Sequence, residues 1–207
     1  MDVKKIIILG LLLISGNMLF AQQKFLSKTF SLSIDGKGNI TALEVLPAGK
    51  NLVAKDSAGV LLQVVKDGKR YKPESATFSK NAIALRYPNG QIAKIRVSSK
   101  DTYLRFELIE ISKGADVVIW GPFNTSLGDT IGNTIGVVRS PKYAIGIIAL
   151  NTKTTGGELV NEEGAVYDRG TTAVKKSFGS SLQEFTVNRS HPRIITVWNG
   201  WKNAPVK

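Results

Sequence analysis

The amino-acid sequence predicts an all-β chain, folded as a large antiparallel two-sheet β-sandwich. Short segments alternate apolar and polar residues, which places one face of a strand on a core and the other in water. Turn signals rich in Gly, Asn and Asp separate them. No window carries an apolar stripe at the three-to-four spacing of an amphipathic helix.

Phe30-Ser31-Leu32-Ser33-Ile34 alternates and is joined to Ile40–Val45 by Asp35-Gly36-Lys37-Gly38-Asn39, where Gly and Asn supply the positive φ angles of a tight hairpin. Val60–Val65 runs into Asp67-Gly68, and Asn89-Gly90 separates Ala82–Tyr87 from Ile92–Val97. Tyr103–Ile111 continues the alternation. Val117–Trp120 and Ala144–Leu150 are continuous apolar runs, the pattern of strands covered on both faces. Gly128–Gly136 leads into Val137-Val138-Arg139, and Ser140-Pro141-Lys142 marks a turn. Asn151–Ser180 is polar and Gly-rich and reads as long loops with one short strand, before a last strand at Arg193–Trp198.

The chain divides into a signal peptide at 1–21, a sandwich domain at 22–203, and residues 204–207, which read as the start of a linker or a truncated end. Lys4 and Lys5 precede the apolar run Ile6–Ile14, and Phe20-Ala21-Gln22 closes it, the layout of a secretory signal. That run is nine residues long, against roughly 20 for a bilayer span, so no stable membrane span is expected after removal. The expected location is periplasmic or extracellular. Removing 1–21 takes Lys4 and Lys5 from the 28 basic residues and Asp2 from the 16 acidic ones, leaving a net charge of +11. Export turns that charge away from nucleic acid and toward anionic glycans or envelope surfaces, and scattered lysines and arginines also suit a solvated sheet face.

Composition narrows the chemistry. The absence of cysteine excludes disulfides, thiolate metal sites and cysteine nucleophiles. The one histidine, His191, lies in a Ser-His-Pro turn and cannot serve mechanisms that need two. No Gly-x-Ser-x-Gly elbow occurs, and Gly36-x-Gly38 sits in a hairpin without a third glycine. Paired carboxylates are the remaining hydrolytic route. Glu107 and Glu110, three apart on a strand, are expected to point to opposite faces. Glu158, Glu162, Glu163 and Asp168 are loop acids that could meet a ligand or calcium, but without a recognisable ligand spacing, so no cofactor is assigned. No catalytic or metal residue is named.

Aromatic residues give the candidate ligand-binding set Trp120, Phe123, Asn124, Trp198 and Trp201. Trp120-Gly121-Pro122-Phe123-Asn124 and Trp198-Asn199-Gly200-Trp201 each place an indole at a strand end beside a turn. Sugar rings stack on aromatic faces while amides and carboxylates bond their hydroxyls. A Trp at a strand end also closes a sandwich core, which is the competing role.

The hairpin Ser31–Val45, Leu61–Val65, Tyr103–Leu108 and Trp120–Phe123 resemble the galactose-mutarotase-like supersandwich. With Ile135–Arg139, Ala149–Thr154, Val187–Ser190 and Val197–Gly200, the chain is similar to the N-terminal module of large secreted bacterial glycoside hydrolases. The resemblance spans most of residues 25–203, and its motifs are structural rather than catalytic. It implies a non-catalytic module that binds oligo- or polysaccharide or supports a downstream catalytic domain beyond residue 207. The alternative is an autonomous glycosidase or aldose epimerase acting through the loop acids. Epimerase relatives use two histidines, which this chain lacks.

Overall fold

The computed structural model describes residues 22–132, 136–151, 153–156, 159–160, 166–168 and 172–187. Among them every regular element is a β-strand, and every strand pair is antiparallel. None of the described residues forms a helix long and apolar enough to cross a membrane. The signal segment 1–21, the strand expected at Arg193–Trp198 and the linker at 204–207 lie outside the described residues.

The first sheet orders β1 (Gln23–Leu26), β2 (Phe30–Ile34), β3 (Asn39–Val45) and β4 (Lys50–Asn51), with β5 (Gly59–Val60) on the other end of β3. The β2–β3 turn forms because Asp35 Oδ1 accepts the backbone N–H groups of Lys37 and Asn39, both at 2.8 Å. Gly38 there adopts φ 77°. β6 (Leu62–Lys66) and β7 (Lys69–Tyr71) are joined through Asp67 and Gly68, both with positive φ, the conformation a two-residue hairpin demands.

β8 (Ser75–Ser79), β9 (Ala82–Arg86), β10 (Ile92–Ser99) and β11 (Leu104–Ile111) form a four-stranded meander. β12 (Val117–Thr125) returns to β6. β13 (Thr130–Gly132), β14 (Val137–Arg139) and β15 (Ala144–Gly146) make a small sheet of their own. β16 (Thr154–Thr155), β19 (Ala173–Lys176) and β20 (Gly179–Val187) complete the sheet of β12, in the order β16-β20-β12-β6-β7 with β19 beside β20. Between them β17 (Leu159–Val160) pairs with β18 (Val166–Asp168).

The main core joins three of these sheets: Leu32, Ile34 and Ile40 from the first, Leu62, Val64 and Val118 from the β12 sheet, and Ile83, Leu85, Ile95 and Val97 from the meander. Each such fully buried aliphatic side chain contributes about 2 kcal/mol over leaving it in water. Tyr87 is buried among them, and its hydroxyl donates to the Leu62 carbonyl at 3.2 Å, so no polar atom there is orphaned. Burial pushes its phenol well above the ordinary tyrosine pKa. A second cluster (Leu52, Leu127, Val138, Ala173 and Leu182) fills the space beside β14 and β20.

Three expectations change. Asn151–Ser180 holds β16 to β19 and the start of β20, because polar residues pair there through backbone ladders that composition does not reveal. β20 is a nine-residue interior strand of the largest sheet, with β12 on one side and β16 and β19 on the other, although Ser180, Ser181 and Glu184 within it are buried and polar. The run Ala144–Leu150 is covered on one side only. Ile145 and Ile147 face the second cluster, while Ile148 and Leu150, beyond the end of β15, are 77% and 61% exposed.

Candidate functional site

The site grows from a bulge between β12 and β20. Trp120 pairs with Glu184 and Phe123 with Leu182, so Gly121 and Pro122 together stand opposite the single residue Gln183. Gly121 takes φ 101°, and a Cβ on it would lie 2.7 Å from the Leu182 carbonyl oxygen. Its amide donates to the Leu61 carbonyl at 3.0 Å and its carbonyl accepts from Gln63 Nε2 at 2.9 Å. From the other side Gly59 packs so tightly that a Cβ there would meet the Pro122 carbonyl oxygen at 2.0 Å. The bulge is therefore clamped between β5, β6 and β20, and the side chains beside it are held in place.

Trp120, Glu184 and Thr186 lie on one face, because register pairs Trp120 with Glu184 and Val118 with Thr186. The half-buried indole donates from Nε1 to Thr186 Oγ1 at 3.3 Å, and that hydroxyl lies 2.8 Å from Thr154 Oγ1. Glu184 is only 6% exposed. Burial pushes its carboxyl above the usual Glu value, partly opposed by the backbone N–H of Ala149 that donates to it. Among the described residues no ion pair reaches Glu184. An aromatic ring, two hydroxyls and a buried carboxyl thus share one face of the sheet. Such a set can bond the hydroxyls of a polar ligand while the indole covers its apolar face.

The five sequence-derived candidates divide. Trp120 belongs to this cluster and also packs against the main core, the competing role for an indole at a strand end. Phe123 is half-buried and packs against both core clusters. Asn124 has its amide nitrogen committed to Ser57, donating to the carbonyl and the hydroxyl, each at 3.1 Å. Trp198 and Trp201 lie outside the described residues, as do His191, Glu158, Glu162 and Glu163. Asp168 ends β18, opposite Leu159. Sequence reasoning missed Glu184, Thr186 and Thr154. The signal that could have found them is the alternation of Leu182, Glu184 and Thr186, which puts a lone acid on the inner face of a strand.

The expectation that Glu107 and Glu110 face opposite ways is corrected. A bulge at Ile109 lets Glu107 pair with Arg96 and Glu110 with Lys94, two cations on one face of β10. Both carboxylates lie on the exposed side, at 3.3 Å from Arg96 Nη1 and 2.6 Å from Lys94 Nζ. Beside them Ser79, Lys80, Ala82, Arg96, Ser98 and Ile109 border an open groove of about 420 Å³. Among the described residues no group of three His, Asp or Glu stands close enough together to hold a metal ion. Comparison with protein-family models, curated proteins and solved structures gave no match.

Proposed function

We propose that the chain is a carbohydrate-associated β-sandwich module of an exported, glycoside-hydrolase-like protein, which binds glycan or supports a downstream catalytic domain and does not itself turn over substrate. The finer architecture we propose with it is the two-sheet supersandwich of the galactose-mutarotase type. What supports that reading is the antiparallel pairing of every described strand and the main buried core that separate sheets share. The observation that carries the functional reading is the meeting of Trp120 with the hydroxyls of Thr186 and Thr154 and the carboxyl of Glu184. It is a polar set around an aromatic face with one described carboxyl, whereas glycoside cleavage needs two across the scissile bond.

The test is a glycan array on the purified chain, followed by calorimetric titration of the best ligand. Trp120→Phe keeps most of the packing and removes the indole N–H; Thr186→Val removes the hydroxyl at nearly constant shape. Each is expected to weaken binding about tenfold, corresponding to 1.4 kcal/mol, with Trp201→Ala as a parallel variant for the second predicted indole. Unchanged affinity in both Trp120→Phe and Thr186→Val would remove this site. Hydrolysis lost in Glu184→Gln would replace the module by an enzyme.

A further inference from the structure

Among the described residues the β13–β14–β15 sheet leaves the outer edge of β15 unpaired. Its inner edge is fully used: β15 pairs with β14 through Val137 and Gly146, Val138 and Ile145, and Arg139 and Ala144. Ser140 N–H donates to the Tyr143 carbonyl at 2.8 Å and Ile147 N–H to the Gly136 carbonyl at 2.9 Å, so Tyr143, Ile145 and Ile147 turn their backbone groups toward β14. Antiparallel alternation then turns the N–H and C=O groups of Ala144, Gly146 and Ile148 outward. Among the described residues no strand pairs with them.

β15 ends at Gly146, but the alternation of exposure runs on. Burial alternates through Leu150, with Ala144, Gly146, Ile148 and Leu150 outward and Ile145, Ile147 and Ala149 partly covered. The inward Ala149 N–H donates to the Glu184 carboxylate, which pins the extension. Proteins normally blunt an open edge with a charge, a proline or a bulge. Tyr143–Leu150 contains neither charge nor proline, and its outward positions are two small residues, Ala144 and Gly146, followed by two large exposed aliphatics, Ile148 and Leu150. Such a surface accepts an added strand, with main-chain bonds for affinity and room over Ala144 and Gly146 for larger partner side chains.

Charge selects the occupant. The neutral edge is flanked by exposed Arg139 and Lys142 at one end and exposed Lys153 at the other. Lys50 Nζ stands 5.2 Å above the Tyr143 ring, adding a fourth cation. A second copy of this chain, with its net charge of +12, would bring like charges together at both ends. We propose that the outer edge of Ala144–Leu150 binds an extended peptide strand of alternating apolar residues with acidic residues at its two ends.

The test is an array of nine-residue peptides with alternating apolar centres and ends that are acidic, neutral or basic, read against the whole chain and followed by fluorescence anisotropy. Acidic-ended peptides are expected to bind at least tenfold more tightly than basic-ended ones. Alternate N-methylation of the peptide and the exposed substitution Ile148→Asp are each expected to reduce that binding at least tenfold, and amide exchange at Gly146 and Ile148 to slow on binding. Absence of binding across the array, a preference for basic ends, or affinity indifferent to N-methylation would overturn the proposal. So would a dimer of the chain that Ile148→Asp dissociates, since the edge would then belong to a second copy.

Discussion

Two bulged strand pairs in this molecule treat the same side chain in opposite ways. At β10–β11 the extra residue is Ile109, and the glutamates beside it stand in water with Arg96 and Lys94. At β12–β20 the extra residue lies in Gly121-Pro122, and Glu184 next to it is buried without an ion pair among the described residues. An exposed ion pair contributes little, because water screens it. A buried lone carboxyl raises the cost of its own ionisation, and such a cost is tolerated where a ligand or proton is handled. The first bulge shapes a surface; the second holds the set of side chains we propose as a binding site.

The strongest way to break the contrast is at the clamp. Gly59→Val drives a side chain into the Pro122 carbonyl and is expected to cost about 3 kcal/mol, measured by urea denaturation; a loss under about 0.5 kcal/mol would show that the bulge is not held from β5. Gly121→Ala meets both its φ of 101° and the Leu182 carbonyl, and is expected to fall close behind. Deleting Ile109 should cost only about 1 kcal/mol, near the range of surface changes, because Arg96–Glu107 and Lys94–Glu110 keep their partners in a regular ladder.

The pH dependence sharpens the contrast. With its folded pKa raised above the ordinary value of 4.5, Glu184 binds its proton more tightly folded than unfolded. Its contribution is therefore fully present below pH 4.5 and lost as pH rises through the folded value. Glu184→Gln is expected to abolish that loss and to exceed the wild type in stability at pH 8, while matching it near pH 4. Denaturation series at the two pH values check this, and identical pH slopes would contradict it. The smallest effect belongs to Glu107→Gln and Glu110→Gln, about 0.5 kcal/mol each and absent at 1 M salt, where screening acts within about 3 Å.

The hairpins were legible because turn chemistry is local: Asp35, Gly38, Gly68 and Gly90 favour their conformations by residue type alone. β20 was not, because Ser180, Ser181 and Glu184 are buried only by virtue of β12, β16 and β19. The same reason hid half of the candidate site. Trp120 drew notice as an aromatic at a strand end, whereas its partners Thr186 and Glu184 arrive from 66 and 64 residues further along the chain. The faces of Glu107 and Glu110 were misread because period-two counting holds only while the ladder is regular, and one extra residue at Ile109 inverts it.

Tyr87 supplies an optical consequence. Its phenol sits inside the main core with its proton given to the Leu62 carbonyl. In an alkaline absorbance titration its phenolate band is delayed until the core opens, because burial penalises the charged phenolate. The amplitude and rate of that late ultraviolet signal give a label-free clock for opening of the interior, legible in the unmodified chain.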